Sequence, residues 1–107
     1  MDLSGKHALV TGGGVGIGKA IALELARSGA QVAVTYLSHE PDDDFALEVK
    51  ATSGHALIAH RLDVSTEGDV RSVVGSLGEQ LGGIDILVNN AGGLVQRRTI
   101  ADMEFSL

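Results

Sequence analysis

The residues best suited to chemistry in this chain are the glycines between Thr11 and Gly18, which read T-G-G-G-V-G-I-G. They follow a short apolar run and precede an alanine-rich amphipathic pattern, so the cluster is predicted to lie between a strand and a helix. A helix N-terminus presents unpaired N–H groups and a positive dipole end, and glycines let a phosphate approach the backbone. The pattern therefore favours binding of a nucleotide pyrophosphate.

The elements that would position this turn alternate along the chain. Apolar patterns predict strands at 6–11, 31–37, 56–62 and 84–89, and helices at 16–28, from Pro41 to Gly54, and after residues 63–65 up to Gly82. Pro41 and the acidic run 42–44 favour the first turn of a helix over a metal site. Thr99 to Asp102 resembles a capping box that opens a further helix.

Four alternations of strand and helix imply right-handed crossovers and a parallel sheet covered on both faces. The predicted fold class is therefore α/β, a doubly wound, Rossmann-like sheet that is incomplete, with strand order 3-2-1-4. The first strand should be buried on both faces, and Gly18, Ala22 and Ala26 should let the first helix pack closely on the sheet. Lys19 should be a solvent-exposed charge. The strand at 84–89 should form an open edge that pairs with another chain or aggregates.

Composition limits the classes of function. A length of 107 residues allows one small domain, and 14 acidic against 8 basic residues give a net charge of −6, which argues against nucleic-acid binding. There is no cysteine, so nothing indicates an oxidising compartment. No apolar run approaches the roughly 20 residues of a membrane-spanning helix, and the N-terminus lacks the apolar centre of a signal peptide. We expect a soluble, cytoplasmic protein without a metal site.

The spacing of the glycines discriminates among nucleotide-binding families. The G-x-G-x-x-G pattern is absent, and the pattern present is T-G-x-x-x-G-x-G, followed at residues 89–92 by Asn-Asn-Ala-Gly at the end of the fourth predicted strand. These two motifs resemble the short-chain dehydrogenase/reductase family, and the resemblance covers the whole chain. The glycines also fit a methyltransferase turn, although Thr11 stands where that class carries an acidic residue. A glycine-rich helix entry that binds nothing is the third interpretation.

The resemblance implies a NAD(P)-dependent oxidoreductase that transfers hydride to a carbonyl or from an alcohol. It implies pyrophosphate contact at the glycines, adenine contact at Asp63 and Val64, and nicotinamide-ribose contact near Asn90. Asp63 could instead be a helix-entry residue, and Asn90 could serve to brace the central strands. The full predicted cofactor-binding set is Gly12, Gly14, Gly16, Ile17, Gly18, Tyr36, Leu37, Ser38, Asp63, Val64, Asn90, Ala91 and Gly92.

The choice between NADP and NAD rests on the end of the second predicted strand. An acidic residue there would hold both ribose hydroxyls of NAD, but Tyr36 occupies that position. A missing carboxylate admits a 2′-phosphate, which Ser38 could hydrogen-bond, so NADP is favoured. Val15 stands where NADP-using relatives often carry a basic residue, and NAD therefore remains open. His39 is a further candidate contact, with a solvated loop histidine as the alternative.

The family's catalytic tyrosine, in Tyr-x-x-x-Lys, has no counterpart here, because Tyr36 is the single tyrosine and Glu40 stands four positions after it. The resemblance thus predicts no catalytic residue in this chain, which should be inactive alone as residues 1–107 of a single-domain reductase. We expect a small carbonyl or alcohol substrate and a homo-oligomer. The chain could be a fragment of a full reductase, which is the favoured hypothesis, a frame-truncated product, or a non-catalytic dinucleotide-binding module.

Overall fold

The computed structural model describes residues 2–14, 16–63 and 65–90. Along the chain the elements are β1 (His7–Thr11), α1 (Gly16–Arg27), β2 (Gln31–Tyr36), α2 (Asp43–Ser53), β3 (Ile58–Arg61), α3 (Glu67–Leu81) and β4 (Ile86–Asn89). The four strands are parallel and form one sheet in the order β3-β2-β1-β4. The predicted α/β class and strand order are therefore confirmed.

Alternation of side chains along the central strands separates two apolar clusters, one on each face of the sheet. On the first face, residues of β1 and β2 pack with residues of α1 and α2, and the cluster includes Val10, Val34, Ala22 and Phe45. On the second face, Leu9 packs with residues of α3. β1 is thus buried on both sides, as its continuous apolar run predicts.

Small side chains bring α1 close to the sheet. Gly18, Ala22 and Ala26 are its buried residues, and they recur every four positions on one face of the helix. Ile17, by contrast, is 73% exposed. The close packing of this helix predicted from its small residues is confirmed, and its larger apolar residues lie beside that contact.

Helix α3 buries one apolar face, as the helix predicted before Gly82 implies. Leu77 and Leu81 are buried, and Val73 and Val74 pack partly buried against the same cluster. Gly82 ends the helix with a φ of 82°, a left-handed conformation that glycine adopts without a Cβ clash. The glycines inside α3 are tolerated because the burial of these apolar side chains outweighs their low helix propensity.

Three local predictions are wrong in detail. Pro41 lies outside α2, because the carboxylate of Asp42 accepts a hydrogen bond from the Phe45 N–H and makes Asp42 the N-cap. β3 and β4 are shorter than the apolar patterns at 56–62 and 84–89, because those patterns include Leu57 and Ile84, which pack against the core but lie outside the paired strands. Lys19 is half-buried, and its Nζ lies 5.5 Å from the centre of the Phe45 ring.

β4 lies at the edge of the sheet formed by the described residues, as the strand order predicts. Its pairing with another chain stays a prediction. No helix in the described part of the chain is long and apolar enough to cross a membrane.

Two leucines on helices allow a matched test of the core. Leu77 is fully buried on α3, whereas Leu47 on α2 is 67% exposed. Leu77→Ala should lower the free energy of unfolding by about 2–4 kcal/mol, because it removes buried methyl groups and leaves a cavity. Leu47→Ala should change it by less than about 0.5 kcal/mol. Urea unfolding of both variants measures the difference, and equal losses would contradict the placement of α3.

Candidate nucleotide-binding site

Those residues of the predicted site that the structure describes lie at the edge of the sheet where the parallel strands end. The glycine turn follows β1, residues 36–38 follow or end β2, and Asp63 follows β3. Crevices beyond the carboxyl ends of the strands are where open α/β sheets bind ligands. The strand order therefore brings three separate segments of the sequence to one edge.

Part of the glycine turn is held by β2. The Gly13 N–H donates to the Thr35 carbonyl oxygen at 3.0 Å, and the Gly12 N–H donates to the Thr35 hydroxyl oxygen at 3.3 Å. Thr35 is 1% exposed. These two amides are thus engaged inside the protein rather than offered to a ligand. Sequence reasoning missed Thr35, and its signal was a hydroxyl inside an otherwise apolar central strand.

Gly14 is required by packing against the loop after β2. A Cβ atom added at Gly14 would overlap with the carbonyl oxygen of His39 and would lie 3.6 Å from the Cβ of Tyr36. The loop that carries Leu37 and Ser38 therefore lies directly on the glycine turn. Segments predicted to contact the pyrophosphate and the adenosine ribose are in this way packed together.

Gly18 allows the first turn of α1 to lie on the end of β1. A Cβ atom at this position would overlap with the Gly12 carbonyl oxygen and would lie 2.7 Å from the Asn90 amide nitrogen, Nδ2. That nitrogen donates to the same Gly12 oxygen at 3.2 Å. Gly18 therefore serves this contact, and Asn90 braces the turn.

The ends of β1 and β4 are joined by a polar network. The Thr11 hydroxyl donates to the Asn89 side-chain oxygen at 3.0 Å, and it accepts from the Asn90 N–H at 3.0 Å. Thr11 is 5% exposed, so these bonds satisfy polar groups that the fold has removed from water. The structural role considered for Asn90 is present in the structure.

At the start of α1, Gly16 and Ile17 are exposed, and Gly18 is packed on the turn behind them. The first N–H groups of any helix have no acceptor within the helix, which here concerns Gly16, Ile17 and Gly18. Gly16 has a φ of 60°, and a Cβ added there would meet no atom within 4 Å. α1 also carries no acidic residue in its first turn, unlike α2 and α3. This helix end is therefore suited to an external anion.

The adenosine end of the predicted site is formed by the ends of β2 and β3. Tyr36 is half-buried, Leu37 is 46% exposed and Ser38 is exposed. Asp63 accepts hydrogen bonds from the Ser65 hydroxyl at 2.6 Å and the Ser65 N–H at 2.9 Å. These bonds lower the pKa of the Asp63 carboxyl below its usual value, the Ser65 hydroxyl more than the Ser65 N–H, and the charge of Arg61 adds a smaller lowering.

Three predicted cofactor contacts lie outside the described residues, namely Val64, Ala91 and Gly92. Val15 and the predicted helix at 99–102 lie outside them as well. Within residues 2–14, 16–63 and 65–90, no group of three or more histidine or carboxylate side chains could hold a metal ion.

The contact at Gly18 makes a stability prediction. Gly18→Ala should lower the free energy of unfolding by about 1–3 kcal/mol, because the added methyl group displaces backbone rather than a flexible side chain. Gly75→Ala is the matched control, since Gly75 lies inside α3 with no atom near a new Cβ. It should raise stability by up to about 1 kcal/mol. Thermal or urea unfolding measures both, and a neutral Gly18→Ala would contradict the close approach.

The carboxyl of Asp63 makes a pH-dependent prediction. Its folded pKa is lowered, so its ionised form stabilises the fold above the unfolded pKa, and this contribution is lost as pH falls through the folded pKa. Ser65→Ala removes the hydroxyl donor and should raise the pKa of Asp63 toward its usual value. Carboxyl-carbon NMR titration of both forms measures the shift. An unchanged pKa would show that the Ser65 hydroxyl does not bind this carboxylate.

Comparison with known proteins identifies relatives over most of the chain. A family model described as short chain dehydrogenase matches residues 6–106. The short-chain dehydrogenase/reductase homolog YusS of Bacillus subtilis is 43% identical over 91 residues, which cover 85% of this chain and 84% of YusS. The Escherichia coli 7alpha-hydroxysteroid dehydrogenase is 40% identical over 93 residues, which cover 87% of this chain but 36% of that enzyme.

Solved structures share the fold of this chain at substantial sequence identity. A short-chain type dehydrogenase/reductase from Mycobacterium marinum is 42% identical with a TM-score of 0.72, and the match covers 95% of this chain and 40% of that one. Pseudomonas aeruginosa RhlG in complex with NADP is 41% identical with a TM-score of 0.72, over 85% and 36% of the two chains. The NADH-dependent reductase A1-R′ in complex with NAD is 35% identical with a TM-score of 0.76, over 94% and 41%. The chain spans well under half of these structures, and by the family match and the YusS relationship it belongs to the short-chain dehydrogenase/reductase family.

Proposed function

We propose that this chain is the dinucleotide-binding part of a NAD(P)-dependent oxidoreductase. The supporting observation is the start of α1, where Gly16, Ile17 and Gly18 have N–H groups without acceptors in the helix and Gly16 faces open space. A pyrophosphate placed there would accept hydrogen bonds from the backbone and lie at the positive end of the helix dipole. Gly12 and Gly14 support this site by shaping the turn.

The adenosine half of the nucleotide would lie toward β2 and β3. A carboxyl group is ionised at neutral pH, and the pKa of Asp63 is lowered further, so its carboxylate would accept a hydrogen bond from the exocyclic amine of adenine. Ser38 is exposed at the end of β2 and would contact the ribose. By resemblance to the family, Val64 would line the adenine ring, and Asn90, Ala91 and Gly92 would lie near the nicotinamide ribose.

We propose NADP as the preferred nucleotide. Tyr36 ends β2 where a carboxylate would hold the two ribose hydroxyls and repel a 2′-phosphate. A phenol does neither, and the exposed Ser38 hydroxyl can donate to a phosphate oxygen. Relatives of known structure include one bound to NADP and one bound to NAD, so membership of the family does not decide between these nucleotides. The preference proposed here therefore rests on the residues of this chain.

The reaction proposed for the parent oxidoreductase is hydride transfer between the nicotinamide and the carbon of a small carbonyl compound or alcohol. The chain itself contains one tyrosine, and that residue lies at the end of β2 with Glu40 rather than lysine four positions later. It therefore lacks the Tyr-x-x-x-Lys pair that would move the proton. We infer that the 107 residues alone bind nucleotide without turning over a substrate.

Binding to the purified chain tests this proposal directly. The chain is titrated with NADPH and with NADH while the fluorescence of the nicotinamide is recorded. Binding of S-adenosylmethionine is measured separately by calorimetry. We expect saturable binding of both nicotinamide nucleotides, with the tighter binding for NADPH. Equal weak responses to both nucleotides, or binding of S-adenosylmethionine alone, would contradict the proposal.

A charge placed at the end of β2 should change the preference between nucleotides. Tyr36→Asp introduces a carboxylate beside the proposed position of the 2′-phosphate, and it should weaken NADPH binding by about tenfold while NADH binding is maintained or strengthened. Tyr36→Asn has the same shape without the charge and serves as the control. The same fluorescence titration gives both affinities. If the ratio of NADPH affinity to NADH affinity is the same in Tyr36→Asp and Tyr36→Asn, Tyr36 does not lie near the ribose.

A further inference from the structure

The register of the sheet places a basic residue next to the end of β2. Tyr36 and Arg61 are partners in the parallel ladder between β2 and β3, and the Leu62 N–H donates to the Tyr36 carbonyl oxygen at 2.7 Å. Because side chains alternate between the faces of a sheet, partners in register project to the same face. Arg61 is thus a neighbour of Tyr36 in the sheet although 25 positions separate them in the sequence.

Arg61 is exposed and forms no ion pair with the residues that the structure describes. The two other arginines in that part of the chain are engaged, Arg27 with Glu24 and Arg71 with Glu67, at 2.6 and 2.8 Å. The charge of Arg61 contributes to the lowered pKa of Asp63, which places the guanidinium within electrostatic range of the proposed adenine contact. A cation is therefore available at the adenosine end of the site.

We propose that Arg61 is a specificity-determining residue that binds the 2′-phosphate of NADP. A guanidinium group carries a permanent charge and presents paired N–H donors that match two phosphate oxygens, and it loses less hydration than an ammonium group when it does so. Tyr36 leaves the adjacent position free of negative charge, and Ser38 adds a hydroxyl donor. The cation that the segment after β2 lacks is supplied by the neighbouring strand. This inference rests on the proposed nucleotide-binding function.

Two adenosine phosphates separate the contribution of Arg61 from binding of the rest of the nucleotide. Adenosine 5′-monophosphate lacks the 2′-phosphate, and adenosine 2′,5′-bisphosphate carries it. Calorimetric titration of the whole chain at fixed ionic strength gives the ratio of the two affinities. The unaltered chain should bind the bisphosphate more tightly. Arg61→Gln should reduce this ratio by about tenfold and leave the affinity for the monophosphate within about twofold.

Two further variants control for net charge and for folding. Lys6→Gln removes one positive charge from an exposed residue before β1, at the amino-terminal ends of the strands and thus away from the proposed site. This variant should leave the ratio unchanged. Arg61→Lys keeps the charge without the paired donors, and it should retain part of the preference. Circular dichroism of each variant reports its folded state.

The possible outcomes separate the two proposals. If the unaltered chain binds neither adenosine phosphate, the proposed nucleotide-binding function is wrong, and the role of Arg61 is wrong with it. If both ligands bind but Arg61→Gln and Lys6→Gln change the ratio equally, the nucleotide site stands and Arg61 does not bind the 2′-phosphate. A selective loss of the bisphosphate preference in Arg61→Gln alone supports the assignment.

Discussion

The packing of the first turn of α1 on the Gly12 carbonyl group determines how the rest of the site is arranged. It is possible only because residue 18 has no side chain, and the same carbonyl oxygen accepts a hydrogen bond from Asn90. The axis of α1, the path of the glycine turn and the junction of β1 with β4 are therefore joined at one point. A helix fixed in this way holds the N–H groups of its first turn, which have no acceptor within the helix, at the carboxyl edge of the sheet. The orientation of the proposed anion site would thus follow from a packing contact.

The fold was predictable because its signals are local and periodic. A few residues are enough to predict an element and its buried face in three cases: the continuous apolar run of β1, the small residues of α1 and the apolar face of α3. Right-handed crossovers then leave few ways to connect alternating strands and helices, and the strand order 3-2-1-4 is that of a doubly wound, Rossmann-like sheet. The ends of elements were predicted less well. α2 begins after Asp42 rather than at Pro41, because the Asp42 carboxylate accepts a hydrogen bond from the Phe45 N–H. Apolar periodicity does not predict such a bond.

The candidate site was predictable as a set of segments, but the roles within it were not. The spacing of the glycines in the sequence assigns them all the same role, whereas in the fold their roles differ. Gly14 and Gly18 are needed where another part of the protein lies against them, and Gly16 is needed for its backbone angle and its open surroundings. The hydrogen bonds of Thr35 and the proximity of Arg61 to Tyr36 depend on which strands are neighbours and in what register. Such relations appear only after the chain has folded.

The charge of the protein explains why these local features matter for an anionic ligand. A net charge of −6 provides no long-range attraction toward a dinucleotide, and Asp63 adds a negative charge at the adenosine end. Attraction must therefore come from groups within hydrogen-bonding distance. Acidic first-turn residues occupy the positive helix ends of α2 and α3, but none does so in α1. The amides at the start of α1, which no acidic first-turn residue compensates, and Arg61, which forms no ion pair with the described residues, are therefore the groups that could attract a phosphate at this edge.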